Sequence, residues 1–239
     1  MTAASGSGRR MNRWTLVIPV KALATAKSRL APTVSPTARL ALARAFALDT
    51  IETARAARSI DRILVVTGDA DLHTHLADGV EVLHEVPGAG LASAIETGIA
   101  AARSGSDIAV AVMLGDLPAI RADGLDSALA AAARYPLAFV RDADGTGTTL
   151  ATARAGEPFA PAFGDGSAAR HLGAGFTDLV TVERPAIVPG VRADVDTLDA
   201  LEQALRLGVG SRTAEAVTAL AEGVRSHRLT IARNRKVRP

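Results

Sequence analysis

The sequence predicts an α/β fold in which a mixed, mostly parallel sheet is covered by helices. Short β-rich runs alternate with longer Ala-rich amphipathic stretches, the pattern of parallel strands joined by helical crossovers. One run, Asp107–Leu114, is almost continuously apolar, as a strand buried on both faces must be. The 239 residues, 48% of them hydrophobic, suit one large domain with a sizeable core and exclude a wholly disordered chain.

The elements follow in order. Trp14–Val20 reads as the first, central strand. Thr37–Arg58 is a long helix, with Leu40, Ala43, Ala47 and Ile51 at helical spacing. Arg62–Thr67 and Val80–His84 are the next two strands, and Leu91–Arg103 the next helix. Beyond the Asp107–Leu114 strand, Gly124–Arg134 is helical, Leu137–Arg141 is a strand, and Thr148–Ala153 is a strand expected to run antiparallel. Helices over Ser167–Gly173, Leu198–Leu207 and Thr213–Leu220 complete the pattern. No linker rich in Pro, Gly or Ser divides the chain. The expected organisation is a basic tail over 1–13, a single domain over 14–221 and a basic extension over 222–239.

Charge separates the ends from the body. Three arginines lie in 1–13 and six Lys or Arg in 225–239, with no acid in either, leaving 18 basic residues against 25 acidic ones between them. A nucleic-acid surface carries its positive charge on folded structure, with aromatic rings where single strands stack. Here aromatics are 3% of the chain, so no nucleic-acid partner is expected. The absence of cysteine excludes disulfides, iron–sulfur clusters and thiolate zinc sites. Trp14–Val20, broken by Pro19 and closed by Lys21, is too short for a secretory signal. No stretch approaches the ~20 apolar residues that span a bilayer. A soluble, cytoplasmic chain without a membrane partner is expected; a homo-oligomer is allowed, and the sequence does not choose its size.

Open α/β sheets bind ligands beyond the carboxyl ends of their strands. After the first strand come Lys21, Lys27 and Arg29, in a chain with only three lysines. Such a concentration of cations suits a polyphosphate. Met113-Leu114-Gly115-Asp116-Leu117-Pro118 puts a carboxylate directly after a buried strand, where an unpaired charge is costly. Asp116 therefore reads as a Mg²⁺ ligand, completed by substrate phosphates. Asp194 and Asp196 are two apart and face one side of an extended backbone, where they repel unless a cation lies near them. Asp196 or Thr197 can also cap the helix beginning at Leu198, which makes Asp194 the stronger candidate for second metal ligand and Asp196 the weaker.

Asp144-Gly145-Thr146-Gly147-Thr148-Thr149 offers backbone N–H groups and hydroxyls together, a cradle for a small anion. Gly164-Asp165-Gly166-Ser167 reads as a tight loop opening a helix whose N-terminal N–H groups favour a phosphate or carboxylate. These segments together suggest a second anion pocket, distinct from the lysine loop. Two anion sites and a metal imply two phosphorylated substrates. The five histidines are scattered, with no metal role expected of His73 or His75. Neither a phosphate-binding P-loop nor a Gly-x-Ser-x-Gly nucleophile elbow is present.

These segments, taken in order, resemble the CofC/FbiD guanylyltransferases. The resemblance rests on Pro19-Val20-Lys21, Lys27-Ser28-Arg29-Leu30, Gly115-Asp116-Leu117-Pro118, Gly145-Thr146-Gly147-Thr148, Phe163-Gly164 with Ser167-Ala168-Ala169-Arg170-His171, and Asp194-Val195-Asp196-Thr197. It covers about residues 14–221. It implies a Rossmann-like nucleotidyltransferase fold of the GT-A type, a three-layer sandwich. The implied substrates are GTP and a small phosphorylated C3 acid, used with Mg²⁺ to make an intermediate of the deazaflavin carrier coenzyme F-420. By the same resemblance Asp116 and Asp194 would hold the metal. Lys27 and Arg29 would meet the nucleotide and act beside Asp116 in catalysis, with Lys21 of the same cation cluster expected to join them at the nucleotide. Thr148, Gly164 and Ser167 would line the acid substrate.

Where the family commonly shows Leu-Asn, this chain has Leu91-Ala92, so an Asn contact to the nucleotide is missing. The 24 arginines against three lysines indicate a GC-rich coding sequence. Bacterial members of that kind look most like the phosphoenolpyruvate users, so phosphoenolpyruvate is expected ahead of 2-phospho-L-lactate and 3-phosphoglycerate. The alternatives are a molybdopterin-type cofactor nucleotidyltransferase and a nucleotide-binding module without turnover.

Overall fold

Seven strands form one mixed sheet in the computed structural model, which describes residues 13–20, 27, 30, 34–86, 88–105 and 107–222. The chain runs β1 (Trp14–Val20), α1 (Pro36–Ala56), β2 (Ile60–Thr67), α2 (Ala70–Thr74), β3 (Val80–His84), α3 (Gly90–Arg103), β4 (Ala109–Met113) and α4 (Ala122–Ala132). It continues through β5 (Leu137–Arg141), β6 (Thr148–Ala153), α5 (Ser167–Gly173), β7 (Thr177–Asp178), α6 (Leu179–Val182) and α7 (Leu198–Leu207), then α8 over 211–222. The strand order is β3-β2-β1-β4-β6-β5-β7. β1 pairs in parallel with both β2 and β4, and β6 runs antiparallel between β4 and β5, as expected.

β1 is buried along its whole length, which is why its sequence shows no apolar–polar alternation. Alternate residues feed two layers of core. Leu16 and Ile18 pack with Ala47, Ile51, Leu125 and Leu129 of α1 and α4 on one face. Val17 packs with Ile95 and Ile99 of α3 on the other. The result is the expected three-layer arrangement. A third cluster joins Leu42 and Phe46 of α1 to Val195, Leu201 and Ala204, with Val217 and Leu220 of α8 against it.

α1 begins one residue before the expected start because Ser35 caps it, its Oγ accepting the Ala38 N–H at 3.3 Å, with Pro36 in the first turn. It ends at Ala56 rather than Arg58 because Asp126 of α4 captures the Arg58 and Ser59 N–H groups at 3.1 and 2.9 Å. β7 and α6 were not expected, since two and four residues are too short to show a period. α3 lies so close to β1 that a Cβ on Gly98 would stand 2.3 Å from Val17 Cγ1. Gly98→Ala is accordingly expected to cost about 1–3 kcal/mol through overpacking, read as a lowered midpoint in urea.

From β1 the sheet grows outward through β2 and β3, then returns to the other side of β1 with β4. The carboxyl ends of β1 and β4 therefore flank the point where the strand order reverses, the position at which such sheets form a binding crevice.

Candidate active site

A cleft of about 810 Å³ opens at that reversal point, and Lys27, Asp116, Asp194, Thr148, Gly164 and Ser167 all line it. Lys27 and the Gly–Thr segments, expected in separate pockets, thus line one cleft. Lys21 and Arg29 lie outside the described residues.

Asp116 follows β4 through Gly115, where a Cβ would meet Val20 Cγ2 at 3.0 Å. The turn is held from behind. Thr50 of α1, fully buried, accepts the Leu117 N–H at 3.1 Å and donates to the Phe46 carbonyl at 2.8 Å. The Asp116 carbonyl accepts the Val195 N–H at 3.1 Å, tying the two acidic segments together. Thr50→Val keeps the shape and leaves the buried Leu117 N–H without a partner. A loss of about 1–3 kcal/mol is expected, measured by thermal or urea unfolding.

Lys27 has φ +59°, the one non-glycine residue with positive φ among those described. For a lysine this conformation is unfavourable and persists where tertiary contacts hold it. The contact here is ionic: its Nζ, with the side chain 7% exposed, donates to Asp116 Oδ2 and to Asp196 Oδ1, the latter at 2.9 Å. Burial lowers the lysine pKa, but the two carboxylates outweigh it and hold the pKa above the usual lysine value. Asp116 Oδ1 is buried and has no hydrogen-bond partner.

Asp194 and Asp196 face the cleft while Ala193 and Val195 are buried, the alternation expected of an extended segment. Thr197 rather than Asp196 caps α7, its Oγ1 accepting the Ala200 N–H at 3.2 Å. Asp196 pairs with Lys27 instead. Burial, and then the charges of Asp116, Asp142 and Asp196, push the Asp194 carboxyl up to about 7. An acid crowded in this way is stabilised by a cation. Among the described residues no three His, Asp or Glu side chains form a ready-made metal site; Lys27 instead bridges two of the carboxylates. The donor set nonetheless fits a hard cation. It offers oxygen ligands only, one of them orphaned and one with a raised pKa, in an open cleft where phosphate oxygens and water can complete the coordination.

At the other part of the cleft, Asp142 accepts the Thr146 and Gly147 N–H groups at 3.0 and 2.8 Å and closes the β5–β6 loop. A Cβ on Gly147 would fall 2.3 Å from Asp142 Oδ2, so a side chain there would displace the carboxylate that holds the loop. Arg192 anchors the same loop by donating to the carbonyls of Arg141, Asp142 and Ala143. Thr148 and Ser167 are buried at the cleft wall with their hydroxyl oxygens 3.1 Å apart. The Ser167 N–H is bound to the Gly164 carbonyl, and the Ala168 N–H to the Thr146 carbonyl. α5 has only seven residues. Two amides at the start of this helix are thus already bound, and the Thr148 and Ser167 hydroxyls add polar groups to the same wall. Arg170 turns away, donating to the carbonyls of Ala162, Phe163 and Asp165.

Thr50, Asp142, Arg192 and His171 were not singled out from the sequence as parts of a site. Two left a signal: Asp142, placed four and five residues before Thr146 and Gly147, the spacing of a local turn, and His171, which ends the Ser167–His171 segment of the family resemblance. Leu91 lines the cleft and Ala92 sits exposed in the first turn of α3. His73 and His75 lie on and beside α2, away from the cleft lining.

Comparison with known proteins bears on what this cleft does. The family described as "Guanylyl transferase CofC like" matches residues 14–183. A Streptomyces coelicolor protein called phosphoenolpyruvate guanylyltransferase is 47% identical, with 84% of this chain and 94% of that protein covered. A nucleotidyl transferase structure from Methanothermobacter shares the fold at 16% identity and a TM-score of 0.52, over 82% of this chain and 99% of that one. A Mycobacterium tuberculosis protein solved in complex with manganese aligns at 21% identity and a TM-score of 0.52, over 82% and 98% of the two chains.

Proposed function

The chain belongs to the CofC-like guanylyl transferase family, and from that premise we propose that it condenses GTP with phosphoenolpyruvate to give enolpyruvoyl-2-diphospho-5'-guanosine and pyrophosphate. Membership of this family favours that chemistry over the molybdopterin-type alternative. The same family resemblance puts the reaction in coenzyme F-420 biosynthesis. One observation supports the reading above the others: a single cleft has a carboxylate–lysine cluster with an orphaned carboxylate oxygen at one part and a hydroxyl pair at another. The first suits a cation and a triphosphate, the second a small acid.

In this reading a phosphate oxygen of phosphoenolpyruvate attacks the α-phosphorus of GTP, and the bond to the departing pyrophosphate breaks. A phosphate whose second pKa is ~6 is already ionised at neutral pH, so no side chain has to remove a proton. What the chain supplies is position and charge. Asp116 and Asp194 would hold Mg²⁺, with Asp196 beside them; a divalent ion in the manganese complex of the Mycobacterium tuberculosis neighbour accords with this. Bound there, Mg²⁺ would neutralise phosphate charge and align the attacking and leaving oxygens. Lys27 brings its ammonium to the same wall to meet the triphosphate, joined by Lys21 and Arg29 as the resemblance implies. Thr148, Gly164 and Ser167 orient the acid.

The decisive experiment supplies Mg²⁺, each nucleoside triphosphate and each of phosphoenolpyruvate, 2-phospho-L-lactate and 3-phosphoglycerate, and measures pyrophosphate. Release only with GTP and phosphoenolpyruvate is expected. Release with another acid would move the substrate assignment to that acid, and GTP binding without release would overturn the reaction.

A further inference from the structure

Beneath the hydroxyl wall lies a chain of polar groups whose direction is set at its buried end. His171 has no exposed surface, and its ring packs among Phe139, Phe163 and Phe176, with centroids 5.3, 5.6 and 4.8 Å away. Its Nε2 faces the backbone N–H of Ala162 at 3.0 Å. A backbone N–H can only donate, so Nε2 is the acceptor. Burial lowers the ring's pKa to about 4, against the pull of the Ser167 carbonyl and with help from the Arg170 charge. At neutral pH the imidazole therefore carries one proton, and with Nε2 accepting, that proton is on Nδ1.

Nδ1 lies 3.0 Å from Thr148 Oγ1. Thr148 then cannot donate to His171, whose Nδ1–H lies between the Thr148 hydroxyl oxygen and the Ser167 carbonyl. Thr148 and Ser167 share two hydroxyl hydrogens, one of which closes the 3.1 Å contact between them. The other has no protein acceptor among the described residues, and both side chains border the cleft. Had Nδ1 been the acceptor, Thr148 would donate inward and turn a lone pair toward the ligand.

We propose that His171 is a positioning residue: by presenting Nδ1–H to Thr148 it makes the Thr148–Ser167 pair a net hydrogen-bond donor to the cleft, which selects an anionic oxygen of the acid substrate there. The proposal rests on the assignment of Thr148 and Ser167 to the acid substrate and adds what fixes their polarity. It also explains why a buried imidazole with no catalytic contact sits behind that wall.

The test compares His171→Phe, which keeps the aromatic packing and removes both ring nitrogens, with His171→Asn, which keeps an amide donor near the place of Nδ1. Kinetics with Mg²⁺, GTP and phosphoenolpyruvate are run beside long-range ¹⁵N–¹H spectra of the wild-type imidazole. His171→Phe is expected to raise KM for phosphoenolpyruvate roughly tenfold while KM for GTP stays within about twofold. His171→Asn should recover most of that loss, and the spectra should show an Nδ1–H tautomer that does not titrate from about pH 8 to 6. An Nε2–H tautomer, or equal rises in both KM values, would overturn the proposal. Thr148→Val and Ser167→Ala separate the two levels. If they leave KM for phosphoenolpyruvate unchanged, the acid-site assignment fails and this proposal with it. If they raise it while His171→Phe does not, the proposal alone fails. Should His171→Phe not fold, the tautomer measured on the wild-type protein decides.

Discussion

Asp116→Asn is expected to stop pyrophosphate release from GTP and phosphoenolpyruvate, with turnover falling by roughly three orders of magnitude. Its fold should persist, because the support of this turn does not use the side chain. The Leu117 N–H is held by Thr50, and the Asp116 carbonyl by Val195, both through the backbone of the turn. Asn keeps an acceptor oxygen for the Lys27 ammonium and has nearly the same volume. What it removes is one negative charge beside Asp194 and Asp196, together with the orphaned carboxylate oxygen. A pyrophosphate assay paired with a thermal melt separates the two effects. Unchanged turnover in a folded variant would remove Asp116 from the reaction.

Lys27→Met is expected to lose activity by roughly two orders of magnitude and, unlike the Asp116 variant, to lose stability when no divalent ion is present. Its ammonium is the counter-charge that the structure places between Asp116 and Asp196. Breaking a fully buried pair costs about 3–5 kcal/mol. Asp196 is 46% exposed, however, so water screens part of the repulsion and about 1–3 kcal/mol is the better expectation. Because the proposed metal site uses the carboxylates that hold the lysine, Mg²⁺ should raise the melting temperature of Lys27→Met by more than that of the wild type. Equal shifts would show that Lys27 and the ion do not share ligands.

Most strands were legible in the sequence, whether as a continuous apolar run such as Trp14–Val20 or as a mixed, partly exposed one such as Val80–His84, although β4 spans Ala109–Met113 rather than Asp107–Leu114. Trp14–Val20, Val80–His84, Leu137–Arg141 and Thr148–Ala153 begin and end where expected. Helix ends were less so. α1 stops short because Asp126, 68 positions further along, takes the Arg58 N–H. α8 starts where Asp49 receives the N–H groups of Arg212 and Thr213, at 3.2 and 2.8 Å, across more than 160 residues. Capping by a neighbour in sequence can be read from local spacing; capping by a distant residue cannot. The same distinction governs the site. Asp116, Asp194 and Lys27 declared themselves as charges placed at strand or loop ends where no packing role exists. Thr50 and His171 did not, since a buried threonine in a helix and a histidine among phenylalanines have the composition of ordinary core.

By itself, the sequence determined the fold class, the family and the residue types of the cleft, because hydrophobic period and the position of charges relative to strands are local properties. The tertiary structure alone decided that Lys27 and the Gly–Thr segments share one cleft, and that Thr197 rather than Asp196 caps α7. It also decided that the Ser167 and Ala168 amides of α5 are bound within the protein while the Thr148 and Ser167 hydroxyls border the cleft, and that His171 Nε2 meets a backbone N–H. Each of these depends on which donor meets which acceptor across long stretches of chain, and hydrogen-bond partners of that kind are set only once the sheet has brought the ends of β1, β4 and β6 together.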